Sequence, residues 1–263
     1  MLVRRPRPEL APFVSHLWYV DDPLAPGRDR TLPTGAAQLV VNLAADSLHW
    51  YDGADLSVRR GVGGAGVCAA LARPIGVDTA DQARTAGVVF RPGGAVAFGD
   101  VPAAALTDPV TSLADLWGPD GVGVRDRVLT ARTPAERLDV LESVLVGRLR
   151  ERLDGAVAFA AGALSRGVAV ARVAERTGLS ASTLQRRFRA AVGLSPKQFG
   201  RIRRLQRVLL SASGHDVDWA QVAVRHGYFD QAHLIHDFRA LTGLTPGRYR
   251  PRSAAEHNHV PLT

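Results

Sequence analysis

Histidines are the side chains whose type and spacing first suggest chemistry in this sequence. His233 and His236 lie three residues apart, a spacing that places both imidazoles on one face of a helix. Only His226 lies close to them, and no cysteine accompanies them, so a zinc ligand set of the usual spacing is incomplete. We therefore expect no metal and no cofactor, and we assign these histidines to a helix surface or to contact with a partner.

Catalytic arrangements are equally hard to assemble. The N-terminal half contains only His16 and His49, and no Ser/His/Asp set follows from the sequence. The Phe-Arg-Pro-Gly-Gly run at residues 90–94 lacks the Gly-Lys-Ser/Thr ending of a phosphate loop. We expect a protein that is not an enzyme. An enzyme or a metal-binding protein remains the less favoured alternative.

The single cysteine, Cys68, excludes an intrachain disulfide, which is typical of proteins from a reducing cytoplasm. No long apolar run follows the arginines near the N-terminus, so the sequence predicts neither a signal peptide nor a membrane span. We expect a cytoplasmic protein without a membrane partner.

Positive charge is concentrated in the last part of the chain. Residues 155–263 contain 16 Lys and Arg against 6 Asp and Glu, a net charge of +10. The rest of the chain contains 17 basic and 19 acidic residues, a net charge of −2. A basic region beside a nearly neutral one predicts a polyanionic partner, although charge of this kind can also serve solubility alone.

The basic region also contains an internal repeat. A pattern of Leu, three residues, Phe-Arg-Ala, two residues, Gly-Leu-Ser/Thr-Pro begins at Leu184 and again at Leu234, 50 residues later. Each copy follows a short Gly-containing turn, and apolar residues recur at helical period before that turn. Ser180 and Asp230 suit the N-caps of the helices that follow. Each copy therefore predicts a helix-turn-helix, a motif whose second helix can enter the DNA major groove.

A long helix over residues 196–213 is predicted to join the two units. Its inward positions are apolar, and its polar face carries basic and amide side chains. The inward set is Phe199, Ile202, Leu205 and Leu209, and the polar set is Lys197, Arg201, Arg204 and Gln206.

The first half of the chain shows short β-rich segments followed by helical ones. Aromatic and β-branched runs predict strands near residues 13–20, 38–43, 49–51 and 86–90. Short helices are predicted at 101–106 and 111–117, and a longer one at 133–153 with Thr133 as N-cap and Pro134 at its first position. Residues 61–77 are rich in Gly and Ala and predict no clear element.

The sequence therefore predicts two domains and a tail. We expect an α+β N-terminal domain over residues 1–153, in which short β-strands precede helices, for effector sensing or dimerisation. An all-α C-terminal domain over residues 154–252 contains two helix-turn-helix units joined by a long helix. Residues 253–263 are expected to form a polar, frayed tail.

The second unit carries a long pattern, Gly227-Tyr-Phe-Asp-Gln-Ala-His-Leu followed by Phe238-Arg, Gly243, Thr245-Pro and Tyr249-Arg. Over residues 156–252 the chain resembles the C-terminal domain of the AraC/XylS family of bacterial transcription regulators. Residues 1–150 resemble an N-terminal domain that precedes some such regulators, through Trp18, the Phe-Arg-Pro-Gly-Gly run and the Leu-x-Asp-Leu-Trp-Gly run at residues 113–118.

The resemblance implies two recognition helices that enter successive major-groove segments about one helical turn apart. It places base-reading positions of the first helix at Ser182, Gln185 and Arg186, where Arg186 can bind guanine and Gln185 adenine. The matching positions of the second helix are Gln231, Ala232, Ile235 and His236. The family often has Arg where His236 stands, and often Phe where Leu234 stands, so we expect weaker or altered readout by the second unit.

Contacts with the DNA backbone form a separate class, which sets register rather than sequence preference. Candidates are the basic residues that flank the recognition helices, namely Arg187, Arg189, Lys197, Arg201, Arg239, Arg248 and Arg250.

The sequence thus predicts a sequence-specific transcription regulator that binds double-stranded promoter or operator DNA. A small-molecule effector, a homodimer and, for an activator, RNA polymerase are the further partners that the resemblance implies. A DNA-binding regulator without a ligand is the alternative.

Overall fold

The computed structural model describes residues 1–23, 25–150, 153–211 and 217–262. It contains a β-rich N-terminal part with two antiparallel sheets and a helical C-terminal part. The predicted fold class is confirmed. No helix of the described ranges is long and apolar enough to cross a membrane.

The first sheet has six antiparallel strands in the order β1-β2-β9-β4-β7-β10. Residues alternate along its strands between a face that packs against helices and a face that meets the second sheet. Its strands are β1 (Leu2–Arg4), β2 (Val14–Asp21), β4 (Gln38–Asn42), β7 (Ala65–Cys68), β9 (Arg84–Phe90) and β10 (Val110–Ser112).

The second sheet has five antiparallel strands in the order β11-β3-β8-β5-β6. Its edge strand β11 comes from the C-terminal end of the chain, whereas the other four come from the N-terminal part. The strands are β3 (Arg28–Thr31), β5 (Leu48–Asp52), β6 (Val58–Val62), β8 (Ile75–Asp78) and β11 (His259–Pro261).

Among the residues that the structure describes, five α-helices belong to the N-terminal part, and the last four of them follow the strands of the first sheet. They are α1 (Thr79–Gln82), α2 (Leu113–Trp117), α3 (Pro119–Val122), α4 (Val124–Thr130) and α5 (Pro134–Arg148). Helix α5 begins where the sequence predicted, because Thr133 and Glu136 form a capping box. Leu138 and Leu141 on its inner face are fully buried in one core with residues of β2, β4 and β9.

A smaller apolar cluster lies between the two sheets. Leu48, Trp50 and Ile75 of the second sheet are buried there with Val110 of the first. Val40 and other half-buried side chains pack against this cluster. The indole N–H of Trp50 is buried and has no hydrogen-bond acceptor within the described residues.

Six α-helices lie within the described residues of the C-terminal part. They are α6 (Gly155–Ser165), α7 (Val170–Thr177), α8 (Ala181–Val192), α9 (Pro196–Ser211), α10 (Trp219–Arg225) and α11 (Gln231–Thr242). Helices α7 and α8 form the first helix-turn-helix unit, α10 and α11 the second, and α9 joins them. One apolar core that includes Leu184, Phe188 and Phe238 runs through both units.

Four sequence-based expectations need correction. The tail is not frayed, because β11 pairs with β3 and Val260 is buried. Gln206 is not on a solvated face but buried, with its amide bonded to the backbone oxygen of Pro33. The helix predicted at 101–106 is a 3-10 turn, Ala103–Ala105, and α5 ends at Arg148 rather than near 153. The predicted last two residues of the long helix, 212–213, lie outside the described residues.

Candidate nucleic-acid interface

The first recognition helix, α8, is set by local capping chemistry. Gly178 ends α7 in the left-handed conformation, with φ of +66°, which a side chain would disfavour. The Ser180 hydroxyl then accepts a hydrogen bond from the backbone N–H of Thr183. Leu184 and Phe188 face the core and are fully buried, so the opposite face of α8 points to solvent.

The three predicted base-reading residues of α8 all lie on this open face. Ser182, Gln185 and Arg186 are exposed, and they come from the first two turns of the helix. A side chain that must reach into a DNA groove has to be accessible in this way. The structure therefore brings this predicted set together on one surface.

The second recognition helix, α11, is built in the same manner. The Asp230 carboxylate accepts a hydrogen bond of 2.7 Å from the backbone N–H of His233 and so caps the helix. The four predicted base-reading side chains project from its first two turns and are exposed. They are Gln231, Ala232, Ile235 and His236.

A cleft of about 570 Å³ lies between the two units. Its lining comes from both: the start of α7 at Val170, the linker helix α9, and the first turns of α11. The polar and charged lining residues are Lys197, Arg201, Arg204, His233, His236 and Asp237. Three cations against one carboxylate make the cleft electropositive, and this favours an anionic ligand such as a DNA phosphate.

Asp237 organises this cleft, a role that sequence reasoning missed. It is buried, and it accepts a hydrogen bond of 2.7 Å from Nε of Arg201 on α9. It also accepts one of 3.1 Å from the hydroxyl of Tyr228 in the turn before α11. Burial, followed by the charge of Asp237, raises the pKa of Tyr228, so this hydroxyl remains a donor. The guanidinium of Arg204 lies 5.0 Å from the Tyr228 ring centre.

The predicted backbone-contacting residues divide into two groups. Arg201 is paired with Asp237, and Arg187 makes a bidentate pair with Asp154, the N-cap of α6. The other five are exposed and so available to phosphates, although only Lys197 lines the cleft. These five are Arg189, Lys197, Arg239, Arg248 and Arg250.

The pairing of Arg187 also affects Asp154. Burial by itself would raise the pKa of the Asp154 carboxyl. The hydrogen bonds from Arg187 and from the first backbone N–H groups of α6 outweigh burial, and the net result is a lowered pKa. Arg187 therefore holds α6 against α8, and its guanidinium is less available to DNA than a free one.

Two further residues that were considered for chemistry, His233 and Cys68, have surroundings that indicate a structural role. The ring of His233 packs edge-on to that of Tyr228, with 5.2 Å between centroids. Burial raises the pKa of the Cys68 thiol to about 12, so the thiol is protonated at neutral pH and a poor nucleophile.

Two family models match the chain. Residues 173–252 match the one described as "Helix-turn-helix domain", and residues 3–112 match "Domain of unknown function (DUF6597)". The C-terminal part of the chain is an AraC-type helix-turn-helix domain, as the sequence predicted. Proteins with this domain are DNA-binding transcription regulators and not enzymes. No curated protein matches the chain.

Several solved structures also match the chain. ToxT from Vibrio cholerae with a bound unsaturated fatty acid has 11% identity and a TM-score of 0.45, covering 94% of each chain. The C-terminal domain of AraT, a response regulator from Geobacillus stearothermophilus, has 22% identity and a TM-score of 0.36, covering 39% of this chain and 92% of that one. A probable AraC family regulator from Rhodopseudomonas palustris has 22% identity and a TM-score of 0.32, covering 36% of this chain and 93% of that one. Because these TM-scores lie below 0.5, the assignment rests on the family match and on the geometry of the domain.

Proposed function

We propose that this protein regulates transcription by binding a specific operator with both helix-turn-helix units. The observation that carries the proposal is the surface itself: two capped recognition helices expose their predicted base-reading residues, and an electropositive cleft lies between the start of α7, the linker helix α9 and the first turns of α11. Recognition helices on one face of a duplex read major-groove segments about 34 Å apart. The DNA backbone between those segments crosses the cleft.

Each unit has its own part in this proposal. Arg186 binds a guanine through O6 and N7, and Gln185 reads an adjacent base, while Ser182 lies beside them. On the second helix, Ile235 offers an apolar contact for a thymine methyl group. His236 replaces an arginine-sized contact with a shorter side chain, so the second unit contributes less discrimination than the first.

Phosphate contacts supply most of the affinity and none of the sequence preference. We assign them to the exposed basic residues around the recognition helices, Arg189, Lys197, Arg239, Arg248 and Arg250. Arg187 and Arg201 stay in this class as predicted, although their ion pairs reduce what each can contribute.

We infer that the N-terminal part, which we take as residues 1–153, senses a small molecule between its two sheets. The unsatisfied indole N–H of Trp50 in the inter-sheet cluster supports this inference, because a buried donor without an acceptor is costly and a ligand oxygen would satisfy it. Effector binding there shifts the balance between conformations and so promoter occupancy. A homodimer, and contact with RNA polymerase in the case of activation, belong to the same proposal.

Selection of genomic DNA fragments by the full-length protein at two salt concentrations tests the DNA-binding part. Enrichment of a shared motif at both concentrations is the expected result. Binding that disappears at the higher salt without an enriched motif would mean that the basic surface is only a nonspecific clamp.

Thermal melting of the full-length protein with metabolite pools tests the sensing part. A ligand that binds the folded state raises the melting temperature, and the shift is expected to shrink in Trp50→Phe, which lacks the indole N–H. A protein whose melting temperature and operator affinity respond to no metabolite would instead be a regulator without an effector.

A further inference from the structure

The last residues of the chain return to the N-terminal part. Strand β11 pairs with β3 in antiparallel register, with Val260 opposite Arg30, and so extends the second sheet by one strand. The backbone N–H of Leu32 donates to the oxygen of Asn258, and that of Leu262 donates to the oxygen of Arg28. We call residues 257–262 the C-terminal clasp.

The clasp is fixed from the helical side as well. The hydroxyl of Tyr249 donates a hydrogen bond of 2.6 Å to the backbone oxygen of His257. The amide of Gln206 on the linker helix donates to Asn258 Oδ1 at 2.7 Å. Val260 is buried in the same apolar core as Phe238 and Tyr249 of the second unit. One side of the clasp therefore belongs to the core of the DNA-binding domain.

An ion pair secures the other side of the clasp. Arg252, just before the clasp, contacts the carboxylate of Asp29 on β3, and the Asp29 side chain is 2% exposed. A carboxylate buried this deeply is strongly destabilising without a partner, so Arg252 stabilises β3 in this position.

Strand β3 also contacts the second recognition helix directly. Nη1 of Arg30 donates a hydrogen bond of 3.0 Å to the backbone oxygen of Thr242, the last residue of α11. A cation at this position complements the negative end of the helix dipole. Gly243 makes the contact possible, because a Cβ there would lie 2.4 Å from that same Nη1, and its φ of +73° disfavours a side chain.

The N-terminal part touches the first recognition helix in the corresponding place. Gly193, which ends α8, lies against the backbone oxygen of Ala103 in the 3-10 turn, 3.4 Å from where a Cβ would stand. The N-terminal part therefore contacts each recognition helix at the C-terminal end of that helix. The base-reading residues lie in the first two turns and remain exposed, so the N-terminal part does not cover the DNA-binding surface.

We propose that the C-terminal clasp and Arg30 brace the second helix-turn-helix unit on the side away from its base-reading residues. This brace fixes the position of the second unit relative to the first. The docking surface lies within the molecule, and the C-terminal strand β11 of the same chain occupies it. Two reading units held at a fixed separation bind two groove segments together more tightly than loosely joined ones, because less orientational freedom is lost on binding. The expected effect on DNA binding rests on the proposed function, whereas the mechanical effect, the fixed position of the second unit, does not.

Hydrogen exchange of the full-length protein tests the mechanical part. Two variants are compared with the wild type: a chain truncated after Glu256, and Arg30→Ala, which keeps the clasp but loses the contact with Thr242. Arg59→Ala is the matched control, an exposed arginine on β6 of the same sheet. Amides in the last turn of α11 are expected to exchange about two- to tenfold faster in both test variants, the equivalent of one lost hydrogen bond. Amides of α8 and the control protein are expected to match the wild type.

Operator binding tests the functional part, with the fragment that wild-type protein selects. The truncated chain is expected to lose protection over the second groove segment and about tenfold in affinity, with protection over the first segment retained. Unchanged exchange of α11 in both variants would overturn the brace, and so would tighter operator binding, which is the signature of autoinhibition. A wild type that selects no operator would contradict the proposed function instead, while the exchange result would still decide whether the brace exists.

Discussion

Arg186 is the residue whose loss should alter sequence preference most, because its guanidinium is exposed on the first recognition helix. Arg186→Ala is expected to relax the operator motif at one base pair, at a cost of about 1–3 kcal/mol in discrimination. Arg132→Ala removes the same charge from the exposed turn before α5 and is expected to leave the motif unchanged. Motif logos from selected DNA provide the measurement, and an unaltered logo for Arg186→Ala would exclude it from base reading.

His259 of β11 makes stability depend on pH. Burial, then the charge of Arg252, lowers its pKa from 6.5 to about 4, while Glu256 acts in the opposite direction. Because the folded-state pKa is depressed, the stabilisation is fully present above pH 6.5 and is lost progressively as the pH falls from 6.5 towards 4. Its side chain is 30% exposed, so we expect a discounted loss of about 1–2 kcal/mol between pH 7 and pH 5.

Urea unfolding at both pH values measures this loss. The variant His259→Gln has no titrating group at the site, so its stability is expected to fall less over the same pH interval than that of the wild type. Equal losses in the two proteins would show that His259 is protonated without penalty in the folded state.

The buried Asp237 holds the linker helix α9 and the recognition helix α11 together. Asp237→Ala removes the partner of Arg201 and of the Tyr228 hydroxyl. We expect a loss of about 2–3 kcal/mol in the free energy of unfolding, somewhat below that of a fully buried pair because Arg201 is 37% exposed.

An exposed ion pair in the same domain provides the control for Asp237. Glu175 contacts Arg172 at 2.8 Å, and both side chains are more than 60% exposed. Glu175→Ala is expected to change stability by about 0.5 kcal/mol or less. Comparable effects of the two variants in urea unfolding would mean that Asp237 does not tie α9 to α11.

The elements of the C-terminal domain could be predicted from sequence because their determinants are local. The left-handed Gly178, the caps Ser180 and Asp230, and the buried pair Leu184 and Phe188 all lie where the repeat placed them. Asp237 could not be recognised, because its partners come from α9, 36 residues away, and from the turn before its own helix. The exposed base-reading positions follow from helical period, while their roles stay predictions.

The N-terminal strands were only partly predictable, since pairing in a sheet depends on residues distant in sequence. The runs that became β2, β4, β5 and β9 are aromatic or β-branched, and the sequence predicted them. Strands β7 and β8 were missed in the Gly-rich stretch 61–77, where Gly66 and Gly76 lie at paired positions in the ladders. The space for a larger residue is absent there: a Cβ at Gly66 would lie 2.9 Å from the backbone oxygen of Thr111.

The contacts between the N-terminal and C-terminal parts could not be predicted from the sequence. A short polar C-terminus is typical of a frayed tail, and nothing local in Val260 indicates that an edge strand 230 residues earlier will accept it. The burial of Gln206 could not be predicted either. Helical period places Gln206 on a polar face of α9, and the loop before β4 covers that face.

Operator footprinting at base-pair resolution, with the full-length protein, shows directly whether both helix-turn-helix units contact DNA. Two capped recognition helices that expose their reading residues predict two protected major-groove segments on one face of the duplex, about one helical turn apart. Arg186→Ala is expected to weaken protection of one segment and leave the other in place. A single protected segment, or protection spread evenly along the DNA, would contradict the account, because neither result requires two reading helices held in one molecule.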